Sequence, residues 1–134
     1  MTQKNIKKNL LIVDDDPKIL SVLEGALSHP ELSLFRAADA LKAFLLVRNL
    51  SPFLIISDVK MSGYGDGTRL LKLLREDPRI PQVPILFITG MPIEQAREML
   101  PLGDKTVGLM SKPLDLPKLR DYVWSTAGIK APAP

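Results

Sequence analysis

The chain has no cysteine. That excludes a disulfide framework and any thiolate metal site, and it fits a reducing compartment. Aromatic residues make up only 5% of the sequence. A nucleic-acid surface needs clustered cations with stacking aromatics among them, so no direct nucleic-acid contact is expected. No apolar run approaches the roughly 20 residues that a membrane-spanning helix requires, so no membrane contact is expected either. The polar, lysine-bearing start, Met1 to Asn9, turns acidic too soon for a secretory signal. A cytoplasmic protein is the default. Histidine occurs once, as His29 before Pro30. A solvated turn residue is expected there, since no partner groups stand near it in sequence.

What is present describes one ordinary globular domain. The chain has 134 residues, 46% hydrophobic and 25% charged, enough for a real core. The net charge is +3. Lys4, Lys7 and Lys8 supply part of the excess and read as a solvated basic tail. Residues 1–8 are taken as that tail, 9–127 as the domain, and 128–134, ending Ala-Pro-Ala-Pro, as a flexible C-terminal tail.

Leu54-Ile55-Ile56-Ser57-Asp58 organises the rest. It is an apolar run suited to a central strand covered on both faces, and it ends on a carboxylate. Leu10 to Val13 likewise runs into Asp14-Asp15-Asp16, Ile85 to Ile88 into Thr89, and Val107 to Ser111 into Lys112-Pro113. Leu32 to Arg36 reads as an edge strand. Helices fall between the strands. Asp16-Pro17 looks like an N-cap with proline in the first turn. Ala40 to Arg48 follows Asp39, with Leu41, Phe44, Leu45 and Val47 as its apolar set. Thr68 to Arg75 follows the glycine-rich stretch Met61 to Gly67. A fourth helix opens at Gly90-Met91-Pro92, and a fifth runs from near Asp115 to about Thr126. On that last helix Tyr122 should pack partly into the core. Trp124 falls off the apolar stripe and should be partly exposed.

Five strands alternating with five helices imply an α/β domain. Its sheet is parallel and doubly wound, with right-handed crossovers and helices on both faces. This is the flavodoxin-like (βα)5 arrangement, with strand order 2-1-3-4-5. The C-terminal strand ends then gather acids, a hydroxyl and a lysine at one edge. Crowded carboxylates at Asp14, Asp15 and Asp58 call for a cation, and an all-oxygen set suits Mg2+. A carboxylate beside magnesium can be a nucleophile toward phosphorus. Thr89 and Lys112 could then steady the phosphoryl oxygens.

These residues carry a family resemblance. Leu-Ile-Val-Asp-Asp-Asp-Pro at 11–17, Asp58 after an apolar strand, Thr89 after the fourth strand and Lys112-Pro113 after the fifth together resemble the response-regulator receiver domain of two-component systems. The resemblance covers residues 9 to 127. It implies that Asp58 accepts a phosphoryl group from the phosphohistidine of a histidine kinase or phosphotransfer protein. It implies that Asp15 binds Mg2+ directly, Asp14 through water, and the backbone carbonyl of Lys60 completes the protein ligands. Thr89 and Lys112 would hold the phosphoryl oxygens, and the Lys112–Pro113 bond would be cis. The domain would be a signalling switch, not a classical enzyme, and would catalyse only its own phosphorylation and dephosphorylation. Its fourth helix, fifth strand and fifth helix would form the face that controls a downstream protein partner or output domain, or that forms a homodimer.

The sequence departs from the family at three places. Leu109 stands where an aromatic is usual, three residues before the lysine. The loop after Asp58 reads Met61-Ser62 rather than Met-Pro, with Asp66-Gly67 one residue late. Asp16 adds a third acid, read as a helix cap. A flavin-binding protein of this fold would need a hydroxyl- and glycine-rich loop where the three acids stand. A magnesium-dependent phosphatase would place a second acid at the position of Lys60. The alternative that remains is a degenerate receiver acting as a phosphorylation-independent docking module.

Overall fold

The computed structural model describes residues 7–61 and 66–132. Five strands, β1 (Lys8–Val13), β2 (Leu32–Ala37), β3 (Leu54–Asp58), β4 (Ile85–Thr89) and β5 (Val107–Ser111), form one parallel sheet in the order β2-β1-β3-β4-β5. Between and after them lie α1 (Pro17–Ala26), α2 (Ala40–Leu50), α3 (Gly67–Glu76), α4 (Ile93–Met99) and α5 (Leu116–Ala127). This is the doubly wound, flavodoxin-like fold expected above.

Strand alternation splits the core in two. Leu11, Val13, Ile55, Ile85 and Phe87 point to one face, where residues of α2 and α3 cover them. Leu10, Ile12, Leu54, Ile56, Leu86 and Ile88 point to the other, under α1 and α5. Both faces of the central strands are covered, so these strands read as continuous apolar runs rather than alternating ones. Four helices are capped by aspartates: Asp16, Asp39, Asp66 and Asp115 each accept a backbone N–H of the first turn. Asp16 is therefore the helix cap that its position before Pro17 suggests.

Several local expectations are corrected. Leu41 and Leu45 of α2 are 43% and 52% exposed, so they are not core residues. Ala40, Ala43 and Val47 turn inward instead, because small side chains let α2 lie close against the sheet. His29 is buried, not solvated. Its ring lies 4.9 Å from the Trp124 ring, its Nε2 donates to the Lys130 carbonyl at 2.7 Å, and its Nδ1 accepts the Glu31 N–H at 2.9 Å. Trp124 is buried by the same contact and faces the α1–β2 turn rather than solvent. Residue 130, placed in the tail on sequence, is thereby tied to the domain. Lys8, also placed in a tail, starts β1, and its Nζ donates to the Ala127 carbonyl at the end of α5. The fourth helix begins only at Ile93, with Pro92 as its cap. The glycine-rich residues 62–65 lie outside the described residues.

Candidate functional site

The strand order reverses between β1 and β3, since β2 flanks β1 on one side while β4 and β5 follow β3 on the other. Crevices beyond the C-terminal strand ends form at such a switch point. Asp14 and Asp15 directly follow β1, and Asp58 is the last residue of β3. Carboxylate oxygens of all three lie within 4.8 Å of one another. Asp14 is almost wholly buried, Asp58 nearly so, and Asp15 is exposed.

Lys112 closes the cluster from the far side of the sheet. Its Nζ donates to Asp58 Oδ2 at 3.1 Å and stands 3.6 Å from Asp14 Oδ2. The cis Lys112–Pro113 bond follows β5, as the resemblance implies. The Lys112 backbone N–H also bonds the Thr89 carbonyl at 2.7 Å, joining the ends of β4 and β5. Thr89 is buried, and its hydroxyl oxygen accepts the Met91 N–H at 3.0 Å. The Lys60 N–H reaches Asp58 Oδ1 at 3.4 Å.

The electrostatics are set by burial. Desolvation pushes the Asp14 carboxyl above its ordinary pKa. The Asp16 N–H and the Lys112 ammonium act against the rise, while Asp58 and Asp15 add to it. Desolvation would lower Lys112, but the hydrogen bond and attraction of Asp58, with the attraction of Asp14, outweigh it and hold the ammonium above its usual value. Asp14 Oδ2 is a buried acceptor that finds no hydrogen-bond partner among the described residues. A buried carboxylate oxygen left so is costly, and a hard cation among the three acids would satisfy it. The donor set, all carboxylate oxygen, fits magnesium.

Two positions beside the site were given no role in the sequence. Gly67 opens α3 so close to β3 that a Cβ there would sit 2.2 Å from the Asp58 carbonyl oxygen and 2.8 Å from the Phe87 ring. Its N–H bonds the Val59 carbonyl at 3.0 Å. Ser57, wholly buried, donates its hydroxyl to the Asp58 carbonyl at 2.9 Å. The Asp-Gly pair before an apolar-periodic helix was the available signal for Gly67. Ser57 gave none.

A family model of the response regulator receiver domain matches residues 10–124. The chain belongs to the response regulator receiver domain family. Among curated relatives, Response regulator Rre1 of Synechocystis sp. is 32% identical to this receiver domain over 123 residues, covering 86% of the chain and 49% of that protein. Regulator of RpoS of Escherichia coli is 32% identical over 126 residues, covering 93% of the chain and 36% of that protein. The chain thus spans half or less of the length of these two relatives. Among solved structures, a putative response regulator from Chloroflexus aurantiacus matches with a TM-score of 0.78 at 28% identity, covering 91% of this chain and 98% of that one. Receiver domains are signalling domains rather than classical enzymes. No helix among the described residues is long and apolar enough to cross a membrane.

Proposed function

We propose that this receiver domain is a magnesium-dependent phospho-acceptor switch, with Asp58 as the residue modified. The observation that carries the reading is the Asp14–Asp15–Asp58 cluster with Lys112 Nζ 3.1 Å from Asp58. The Asp58 carboxylate is the attacking group. A new O–P bond forms as the P–N bond of a donor phosphohistidine breaks, and the released pair returns to the imidazole nitrogen, which takes up a proton. Asp15 directly, Asp14 through water, Asp58 and the Lys60 backbone carbonyl would hold Mg2+, which would supply positive charge to the phosphoryl oxygens. Lys112 supplies more from the other side.

Thr89 links this chemistry to shape. Its oxygen accepts the Met91 N–H, which leaves the hydroxyl hydrogen to donate to a phosphoryl oxygen. Turning Thr89 toward phospho-Asp58 draws the segment before α4 with it. That biases the α4–β5–α5 face, where a pocket of about 280 Å³ lies among Ile93, Leu109, Ser111 and Lys118. Leu109 is only half-buried there. It occupies less volume than an aromatic, so coupling runs through Thr89 and the α4 segment rather than through a rotating ring. The donor is a histidine kinase or phosphotransfer protein. The receiver of the signal is a protein partner, an output domain or a second copy meeting through this face, in the cytoplasm.

The test is intact mass after incubation with acetyl phosphate and magnesium, beside Asp58→Asn. A labile gain of one phosphoryl group, absent in the variant and absent without magnesium, is expected. No gain, with no magnesium binding, would discard the phospho-switch in favour of a docking module.

A further inference from the structure

The positive charge of this chain is not spread evenly. Between their caps α2 and α3 carry five cations (Lys42, Arg48, Arg69, Lys72, Arg75) against one acid, Glu76, with Asp39, Asp66 and Asp77 at the helix ends and Arg75 facing Asp104 at 3.9 Å. Helix α4, on the opposite flank of the same sheet face, carries Glu94 and Glu98 against Arg97. The two helices with the excess pack side by side. Helix α2 has no acid at all, and it presents two of the three large hydrophobic side chains that are strongly exposed among the described residues, Leu41 and Leu45. Leu41, Leu45 and Arg48 stand at i, i+4 and i+7, which is one stripe along the helix. Lys42 lies beside it, and all four are exposed.

The stripe leads down to a pocket. Below the last turn of α2, Val47, Phe53, Ile80 and Val83 line a cavity of about 330 Å³ with Arg48 and Arg79 among its walls. Pro52, Pro81 and Pro84 also line it. Proline fixes φ at these positions, which stiffens the wall of the pocket. Arg79 is engaged by Asp77 at 3.1 Å, and Asp77 also feels the charge of Arg48, so one acid faces two cations here, and Lys42 and the exposed Arg69 and Lys72 of α3 add to the positive excess.

We infer that the outer face of α2, continued into this pocket, is a docking surface for an acidic amphipathic helix of a partner protein. Leucines at helical spacing accept the apolar stripe of such a helix. The flanking cations match its acids and favour encounter. An anionic membrane surface is a poorer fit, because two leucines offer little apolar area to insert. The surface is separate from the phospho-acceptor cluster, since the pocket lies at the N-terminal ends of β3 and β4 and the acids lie at the C-terminal ends.

The experiment uses the unmodified protein without magnesium, so it does not depend on phosphorylation. A synthetic peptide of about five helical turns, leucine on one face and glutamate on the other, is titrated while amide shifts are recorded. In parallel runs the probe is phosphatidylglycerol–phosphatidylcholine vesicles. Expected are shifts centred on α2 and on residues 51–53 and 79–84. Affinity should fall roughly tenfold or more in Leu41→Glu/Leu45→Glu and in Arg48→Glu, and weaken with salt. These positions are exposed, and circular dichroism of each variant checks that the fold persists. No binding, unchanged binding by the variants, shifts confined to α4 and β5, or binding to vesicles instead of peptide would each overturn the inference.

Discussion

Asp14 combines near-complete burial, an Oδ2 that has the Lys112 ammonium 3.6 Å away but no hydrogen-bond partner among the described residues, and two neighbouring carboxylates. Desolvation first, then the repulsion of Asp58 and Asp15, raises its pKa above the ordinary aspartate value. The folded chain therefore holds this proton more tightly than the unfolded chain. That contribution to stability is full below the ordinary aspartate pKa and is lost as pH rises through the raised one. At neutral pH without a divalent cation, Asp14→Asn should thus stabilise the fold by roughly 1 kcal/mol, measured by urea unfolding. The same shift has a functional face. Magnesium needs Asp14 ionised, so affinity measured by calorimetry should begin to fall on acidification at a higher pH than an ordinary aspartate would give. Lys112 acts in the opposite sense. Its ammonium, held charged chiefly by Asp58 against the effect of burial, competes with a cation for the same oxygens and steadies the phosphoryl group. Lys112→Met should bind magnesium more tightly yet phosphorylate more slowly, by about 100-fold, the scale of removing one charge-stabilising donor. Stopped-flow phosphorylation with acetyl phosphate reads the rate.

Elements place these residues through close approaches. The first turn of α3 lies so near β3 that only hydrogen fits at Gly67, where a Cβ would meet the Asp58 carbonyl at 2.2 Å. Gly67→Ala must push α3 away or displace Asp58. It should cost about 1–3 kcal/mol in denaturant unfolding, the range for overpacking a tight contact, and it should slow phosphorylation too. The caps of α1, α2, α3 and α5 were legible because aspartate before an apolar-periodic run has a local cause, its acceptance of first-turn N–H groups. The inward face of α2 was not. Leu41 and Leu45 fit a helical stripe as well as Ala40, Ala43 and Val47 do, and only contact with β1 and β2 chose the alanines. Likewise α5 rotates Trp124 onto His29 of the α1–β2 turn, a pairing across 95 residues that no local pattern carries.

For the whole molecule, a ligand that binds only the folded state stabilises it by mass action. Magnesium at about a hundred times its dissociation constant should therefore add about 2.7 kcal/mol. Thermal unfolding with and without magnesium reads this. The gain should shrink in Asp58→Asn and in Asp14→Asn, even though the latter starts out more stable.

The sequence by itself determined the strand–helix alternation, the doubly wound order and the polar ends of β1, β3, β4 and β5. Apolar runs long enough only for strands must be buried on both faces, and parallel strands need helical crossovers. It also placed Asp14, Asp15, Asp58, Thr89 and Lys112 at one edge, since each directly follows or closes such a run. Tertiary structure alone decided the rest. It set the 3.1 Å reach of Lys112 to Asp58, left Asp14 Oδ2 without a hydrogen-bond partner among the described residues, buried His29 and Trp124, and exposed Leu41 and Leu45 beside a basic rim. Those outcomes depend on how far helices sit from the sheet and how they rotate on it. Side-chain volumes on both partners fix that distance and rotation together, and periodicity within one segment does not encode them.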